Sequence, residues 1–218
     1  MDLSINADRR QVALVDGVAL PWMPSPSAGV ERRMLERVGN EVALATSIVR
    51  YAPGSRFPPH RHDLGEEFLV LAGTFSDESG DYGPGSYVRN PAGSSHAPHS
   101  RDGCIIFVKL RQMQADEPEQ VRVHPVDRRW QDEPQQGIRS ALLYSNARTE
   151  VRLVSIDPGA RLPQRDVAGG EELLVIEGAV ELADRRLGPW SWHRSADVRQ
   201  PALRALEPAL LWVKRGHL

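Results

Sequence analysis

The stretch that decides the fold spans residues 54–96 and reads GSRFPPHRHDLGEEFLVLAGTFSDESGDYGPGSYVRNPAGSSH. Side chains alternate between the two faces of a strand, so His60 and His62 point to the same face. A carboxylate follows at Glu66, and a third imidazole follows a turn at His96. Three imidazoles and one carboxylate on neighbouring strands can converge on one divalent ion, and they suit Zn, Fe, Mn, Ni or Cu better than Ca or Mg. The sequence therefore predicts that these four side chains bind a metal.

The glycines and the proline around these ligands follow the spacing of two cupin motifs in the expected order. The first motif is Gly54-x5-His60-x-His62-x3-Glu66-x6-Gly73, and the second is Gly85-x5-Pro91-x-Gly93-x2-His96. Surface histidines on a polar hairpin would leave this regular spacing unexplained. The pattern expects an Asn a few residues later, where Ser100 stands, and this departure affects a turn residue and no ligand.

Glu67 competes with Glu66 for the role of carboxylate ligand. Adjacent residues of a strand face opposite ways, so only one of the two can reach the metal. The motif spacing favours Glu66, and we expect Glu67 to face outward or to support a ligand from behind.

The composition limits the function classes. The 218 residues are 40% hydrophobic and 26% charged, which is ordinary for a globular protein with a sizeable core. A net charge of −2 argues against a nucleic-acid partner bound through bulk charge. The single cysteine, Cys104, excludes an intramolecular disulfide and lies in an apolar run typical of a buried strand. No run approaches membrane-spanning length and residues 1–6 do not resemble a secretory signal, so a cytoplasmic location is predicted.

The chain repeats itself with a period a little over 100 residues. The segment Gly65–Gly73 reads GEEFLVLAG, and Gly170–Gly178 reads GEELLVIEG. Repeats of this size are domains, and we place them at residues 1–118 and 119–218, with a polar linker or surface excursion over 113–125. Short apolar runs between Gly, Pro and Asp turns predict an all-β fold of two tandem jelly-roll β-barrels, the cupin architecture, packed side by side.

The second copy lacks the ligand set of the first. Gln164 and Asp166 align with the first two histidines, and Gln200 or Pro201 falls where the third would be. Only Glu171 persists, and we expect it to have a structural role. An amide and two carboxylates are poor ligands for a transition metal, so one metal per chain is predicted, in the first domain.

The first half resembles the cupin-like domain of ChrR-type anti-sigma factors. The match is carried by residues 60–62, 65–78, 80–82 and 85–98. The resemblance implies a cupin barrel with a metal, often zinc, held at the four positions above, with Fe, Mn and Ni as alternatives. In that family the domain serves the release of a sigma factor under oxidative stress. The Cys-containing anti-sigma domain has no counterpart here, so we expect a stand-alone duplicated cupin.

Three hypotheses for the function follow. The first, which the resemblance favours, is a metal-binding sensor or regulatory protein of the oxidative-stress response, with a small molecule or a signalling protein as its partner. The second is a metal-dependent dioxygenase acting on a small diketone-like substrate. The third is a sugar-phosphate isomerase. Such an enzyme needs additional acidic or basic groups inside the barrel, and the sequence alone does not place any there. Cupins commonly pair through strand exchange or sheet edges, so a homodimer is also expected.

Overall fold

The computed structural model describes residues 3–114 and 116–218, and they form strands connected by turns. In the first part of the chain these are β1 (Ser4–Ile5), β2 (Ala13–Asp16), β3 (Met23–Pro24), β4 (Val30–Val38), β5 (Leu44–Tyr51), β6 (Ser55–Arg56), β7 (His60–Arg61), β8 (Glu66–Gly73), β9 (Phe75–Asp77), β10 (Gly80–Tyr82), β11 (Tyr87–Asn90), β12 (Ser95–His96), β13 (His99–Ser100), β14 (Cys104–Leu110) and β15 (Val121–Val123). In the second part they are β16 (Trp130–Asp132), β17 (Ile138–Ser145), β18 (Glu150–Ile156), β19 (Arg161–Leu162), β20 (Arg165–Asp166), β21 (Glu171–Glu177), β22 (Val180–Leu182), β23 (Arg185–Leu187), β24 (Ser191–Ser195), β25 (Arg199–Gln200), β26 (Leu203–Ala205) and β27 (Ala209–Arg215).

The predicted all-β class is confirmed. Between the two groups of strands lies a single 3-10 turn, Pro125–Asp127, and the described residues contain no α-helix. Accordingly, no helix among them has the length and hydropathy to cross a bilayer.

The chain forms two compact units, and each combines one large sheet with a smaller one. Unit 1 comprises residues 1–7 and 20–127, and unit 2 comprises residues 8–19 and 128–218. In unit 1 the large sheet has the order β1-β4-β5-β14-β8-β11-β15, with β3 on β4, and the small sheet is β10-β9-β13-β6. In unit 2 the corresponding sheets are β16-β17-β18-β27-β21-β24-β2 and β19-β26-β22-β23. A two-stranded ribbon completes each unit, β12-β7 in the first and β20-β25 in the second.

Each unit has its own apolar core. In unit 1 the core comprises Val30, Tyr51, Phe68, Val70, Phe75, Tyr82, Val88, Cys104, Ile106 and Val108. The central strand β8 supplies two of these side chains and is buried on both faces over most of its length, which explains why its sequence is nearly continuous in apolar residues. Unit 2 repeats this arrangement around β21 and β27.

The glycine that ends each central strand is required by close packing. Gly73 has a φ of 69°, and a Cβ there would collide with the carbonyl oxygen of Gly103. Gly178 has a φ of 73°, and a Cβ there would collide with the carbonyl oxygen of Pro208. The motif glycine is thus explained by both backbone conformation and space.

The two units exchange one edge strand each. Strand β2 lies in the chain just before the main segment of unit 1, residues 20–127, but it pairs with β24 of unit 2, and Val15 lies opposite Trp192. Strand β15 lies just before the main segment of unit 2, residues 128–218, but it pairs with β11 of unit 1, and Val123 lies opposite Tyr87. Because the repeat relates Tyr87 to Trp192, β2 and β15 hold equivalent edges in opposite units.

The compact units follow the strand pairing rather than a single cut in the chain. Residues 8–19 belong to unit 2 and residues 119–127 belong to unit 1, while the boundary between residues 118 and 119 stays a prediction. The segment 113–125 is also more than a linker: Met113 and Glu117 are buried, and Val121–Val123 forms a strand. Ala115 lies outside the described residues.

Candidate metal centre

The four predicted ligands lie together at one end of unit 1. Strands β7 and β12 pair so that His60 lies opposite His96, while His62 follows β7 and Glu66 begins β8. Each of the four side chains offers one ligand atom within 4.8 Å of the others. The shorter separations are 3.3 Å between the Nε2 atoms of His60 and His62, and 3.4 Å between His96 Nε2 and Glu66 Oε1. This cluster can hold a metal ion, and the metal's identity stays a prediction.

Backbone and carboxylate acceptors fix the orientation of two of the three imidazoles. His60 Nδ1 lies 2.9 Å from the carbonyl oxygen of Pro58, and His96 Nδ1 lies 3.2 Å from Asp77 Oδ2. A carbonyl and a carboxylate can only accept, so both Nδ1 atoms carry the proton in the neutral rings. Each Nε2 atom therefore presents its lone pair to the centre.

A serine orients the third imidazole. His62 Nδ1 lies 2.9 Å from Ser94 Oγ, and that hydroxyl donates its own hydrogen to the carbonyl oxygen of Pro91 at 2.6 Å. Ser94 Oγ is thus the acceptor toward His62 Nδ1, and the Nε2 lone pair again faces inward.

While the rings are neutral, the arrangement therefore brings lone pairs together with no proton between them. Three imidazole lone pairs and the Glu66 carboxylate meet in a small space, and His96 Nε2 is buried without a hydrogen-bond partner. Buried acceptors that face one another repel unless a cation lies between them. The donor set of nitrogen and carboxylate oxygen, with each imidazole held from behind, fits a divalent transition metal.

The electrostatics of the histidines reflect their neighbours. Burial lowers the pKa of His62, and Glu66 only partly offsets this effect. Burial would also lower the pKa of His96, but the hydrogen bond to Asp77 and the charge of Glu66 outweigh it and raise that pKa. Although burial opposes it, the bonds from His96 and from the Ser79 amide lower the pKa of Asp77, which is therefore an anion behind the ligand at neutral pH.

Asp77 also connects His96 to the exchanged strand β15. The Tyr82 hydroxyl lies 3.4 Å from Asp77 Oδ1, and Arg122 on β15 donates to the Tyr82 oxygen at 2.8 Å. The ring of His124 stacks on Tyr82 with 5.7 Å between centroids. Strand β15 and His124, the residue after it, thus support Tyr82 and Asp77 behind His96.

We expect the Asp77→Asn variant to bind metal about 10- to 100-fold more weakly, because its side chain can offer His96 an N–H and no longer holds the metal-binding tautomer. Competition with a chromophoric chelator measures the affinity. The Glu78→Gln variant is the matched control, because Glu78 contacts the Ala97 backbone amide and no ligand ring in the hydrogen bonds of the described chain. An unchanged affinity in Asp77→Asn would contradict the role given to this carboxylate.

Glu67 faces away from the centre, as predicted for the neighbour of a ligand, but it does not face outward. It is buried and accepts hydrogen bonds from Tyr87 Oη at 2.8 Å and from Arg89 at 3.2 Å. Glu172 of unit 2 repeats this arrangement with Trp192 Nε1 at 2.7 Å. The second carboxylate of the Glu-Glu pair therefore anchors the opposite face of the sheet in both units.

Cys104 is buried in the core of unit 1, as predicted. Burial raises the pKa of its thiol to about 11, although a hydrogen bond with Ser100 works in the other direction. A thiol with this pKa is almost entirely protonated at neutral pH and is a poor nucleophile.

We therefore expect Cys104 in the folded protein to react at least 100-fold more slowly with a disulfide reagent at pH 8 than in the unfolded chain. The absorbance of the released thiolate, with and without denaturant, measures both rates. We also expect the Cys104→Ser variant to keep any response to oxidants. Rapid labelling of the folded protein would contradict this structural role.

A cavity of about 490 Å³ opens beside the cluster within unit 1. His60, His62 and Glu66 form part of its wall. Apolar side chains form much of the remainder, namely Val30, Val49, Tyr51, Phe57, Phe75, Ile106, Val108 and Leu110. The volume is in the range of small-molecule sites, so a small ligand can reach the ion that these residues would hold.

In unit 2 a guanidinium replaces the ligand set. Arg165 lies opposite Gln200 in the ribbon β20-β25, as His60 lies opposite His96 in β7-β12. Val167 follows at the place of His62 and makes the same kind of backbone bond, to Val198. The predicted alignment of Gln164 and Asp166 with the histidines is therefore wrong by one residue, whereas Gln200 does stand at the place of His96.

Ion pairs compensate the remaining carboxylate there. Glu171 is buried and is bonded by Arg165 and by Arg215 Nε, the latter at 2.8 Å. This supports the predicted structural role of Glu171, because arginine side chains balance the charge of its carboxylate. Across residues 3–114 and 116–218, only the unit 1 cluster offers three or more ligands in reach of one ion.

Sequence reasoning did not identify Asp77, Ser94 or Pro58 as partners of the ligands. Ser94 lies within the second motif, which was a usable signal. Asp77 lies 19 residues before His96 in the chain, and no spacing rule relates them.

Solved structures share this fold over nearly the whole chain. A candidate dioxygenase of Nostoc punctiforme has 17% identity and a TM-score of 0.74, over 94% of this chain and 82% of its own. A candidate glyoxylate-induced protein of Pseudomonas aeruginosa has 14% identity and a TM-score of 0.73, over 100% of this chain and 91% of its own. The oxalate decarboxylase of Lactobacillus farciminis has 11% identity and a TM-score of 0.66, over 94% and 86%. At these identities the likeness establishes the fold, which is the predicted tandem cupin.

No protein of curated function matches the sequence. A family model does match: that of the ChrR cupin-like domain, over residues 10–114 and again over residues 118–218.

Proposed function

The chain belongs to the family of ChrR cupin-like domains, and on this premise we propose that unit 1 is a metal-dependent oxygenase acting on a small, diketone-like substrate. The observation that carries the proposal is the cavity of about 490 Å³ whose wall includes three of the four candidate ligands. A purely structural ion needs no cavity, whereas a reaction at the ion needs space for a substrate.

In this proposal, one group of residues binds the metal and another binds the substrate. His60, His62, His96 and Glu66 would hold one divalent ion, and four ligands leave two positions of an octahedral ion open. When bound, such an ion supplies Lewis-acid chemistry and, as iron, redox chemistry toward dioxygen.

The surroundings would orient the substrate and limit water. The apolar wall formed by Val49, Ile106 and Val108 suits the carbon skeleton of a small ketone and disfavours water near the reacting atoms. Asp77 and Ser94 keep the imidazoles fixed while the substrate enters and leaves, because their hydrogen bonds lie behind the rings.

Metal analysis followed by oxygen uptake tests the proposal. We expect protein loaded with Fe(II) to consume dioxygen in the presence of pentane-2,4-dione. The His96→Ala variant should lose this uptake together with the metal. Zinc in the purified protein, with no uptake by the iron-loaded form on a panel of diketones, would contradict the proposal.

A second candidate is the sensor of oxidative stress that the family membership suggests. The four-ligand set supports it, since it can bind zinc without an open position. The two candidates differ in what an oxidant does: in a sensor it releases the ion or changes the binding of a signalling protein, and in an oxygenase the ion stays bound during turnover. The predicted cytoplasmic location and homodimer remain predictions.

A further inference from the structure

The wall of the cavity beside the metal cluster includes one buried guanidinium, that of Arg37, which forms no ion pair among the contacts of the described residues. Four arginines contribute to its wall: Arg32, Arg37, Arg61 and Arg111. Arg32 is paired with both oxygens of Glu41, and Arg111 is paired with Asp63 at 2.8 Å.

Arg37 differs from the other three arginines in being both buried and outside any ion pair. Arg61 is exposed, whereas Arg37 is 2% exposed. Its Nη2 donates to the carbonyl oxygen of Asn40, and its Nε is buried without a hydrogen-bond partner. Burial and the neighbouring Arg32 lower the pKa of this guanidinium by more than the charge of Glu41 raises it. Glu41 is already bonded by Arg32 through both of its oxygens, so two guanidiniums share one carboxylate here. A guanidinium stays protonated nonetheless, so a buried positive charge faces the cavity.

The strand register places this charge on the same face as the candidate metal. Arg37 lies opposite Ala45, Ala45 opposite Leu110, and Leu110 opposite Glu66, across β4, β5, β14 and β8. Residues directly opposite in a sheet point to the same face. Three strand spacings separate the first from the last, or about 14 Å between their backbones. Arg37 and Glu66 both contribute to the wall of the cavity, and so does Leu110, the residue opposite Glu66.

From this arrangement we propose that the substrate of unit 1 is a small carboxylate, whose anionic end binds Arg37 and whose ketone or hydroxyl oxygen reaches the metal. An ion at the His60 cluster and the guanidinium of Arg37 make both ends of the cavity positive, while the stretch between them is apolar. A carboxylate matches a guanidinium with two parallel hydrogen bonds, and a short carbon chain matches the apolar stretch. This inference rests on the proposed metal centre and narrows the substrate class of the proposed oxygenase.

Equilibrium binding of a matched pair of probes tests the inference. The probes are 2,4-dioxopentanoate and its methyl ester, which share the diketone and differ in the negative charge. With the zinc-loaded protein, which binds without turning over, we expect the acid to bind at least tenfold more tightly than the ester. In the Arg37→Gln variant the two probes should bind within threefold of each other, with metal content unchanged.

The Arg111→Gln variant is the control, because its cation lines the same cavity but is already paired with Asp63. It should keep at least a fivefold preference for the acid. The Arg37→Lys variant retains a charge without the bidentate geometry and should show an intermediate preference, which keeps the test open if Arg37→Gln does not fold.

The outcomes separate this inference from the proposed function. Equal affinity of the wild type for acid and ester, or an undiminished preference in Arg37→Gln, overturns the carboxylate assignment even if the iron-loaded protein consumes oxygen with neutral diketones. A preference that depends on Arg37, in a protein that consumes no oxygen, supports the carboxylate site and contradicts the oxygenase.

Discussion

In the His62→Ala variant, metal affinity is expected to fall on the order of 100-fold or more, because the change removes one of four ligands, and even residues behind a ligand cost 10- to 100-fold. His62 Nε2 lies 3.3 Å from His60 Nε2 and 3.7 Å from Glu66 Oε1, so no neighbouring side chain can take its place without moving. Metal analysis of purified protein and chelator competition measure the loss.

The same variant separates metal binding from folding. A ligand present at 100 times its dissociation constant stabilises a protein by about 2.7 kcal/mol, so added metal should raise the unfolding free energy of the wild type by this order and that of His62→Ala hardly at all. Without metal, removing His62 relieves crowded lone pairs, and we expect stability to change little. The Gln164→Ala variant in unit 2 is the control and should keep full metal content. A wild-type metal content in His62→Ala would refute the ligand set, and a loss in Gln164→Ala would place a site in unit 2.

The sequence predicted that these four side chains cluster because each lies at a fixed distance from a glycine or proline that shapes the backbone. Gly73 shows why such residues are informative: its conformation and its contact with Gly103 tolerate no side chain. The alternation of strand residues likewise separated Glu66 from Glu67 correctly. Alternation gave no information on how deeply the other face is covered, so the burial of Glu67 was missed.

Other features depend on contacts that no local pattern encodes. Asp77 reaches His96 across two sheets, and Arg37 faces the cavity only because a register shift between Met34 and Glu36 changes which residues of β4 point inward. The pairing of the edge strands β2 and β15 depends most clearly on contacts between residues far apart in the chain. The sequence predicted a polar linker or surface excursion over 113–125, where β15 lies, and it gave no sign that β2 pairs with β24 of the second repeat.

Unit 2 shows how the buried carboxylate of the repeated motif is accommodated where the histidines are absent. A buried carboxylate without a counter-charge is costly, so the loss of the histidines requires either the loss of Glu171 or a new cation. Arg165 provides that cation from the strand position of His60. Because the carboxylate is already neutralised there, a metal gains little from binding, and this agrees with one metal per chain.

Removal of residues 1–19 is expected to destabilise unit 2 and leave the metal centre of unit 1 intact, although the chain continues from these residues into the main segment of unit 1. The deletion takes away β2, whose four residues pair with β24 from Ala13 opposite Arg194 to Asp16 opposite Ser191. Arg194 also loses the carbonyl oxygens of Asp8 and Gln11 as acceptors. With roughly 1 kcal/mol for each lost hydrogen bond, the ladder of β2 and the two bonds of Arg194 correspond to a loss of several kcal/mol.

Removal of residues 1–7 alone is the matched control, because it takes β1, which pairs with β4 of unit 1, and keeps β2. Hydrogen exchange distinguishes the two. Without residues 1–19, amides of β24 should lose protection while those of β11 keep theirs, because β15 still covers that edge. Metal affinity should stay within threefold of the wild type in both truncations. Equal protection of β24 in the two truncations would mean that β2 contributes nothing to the stability of unit 2. A selective loss of protection in β11 would mean that β2 pairs with unit 1 instead.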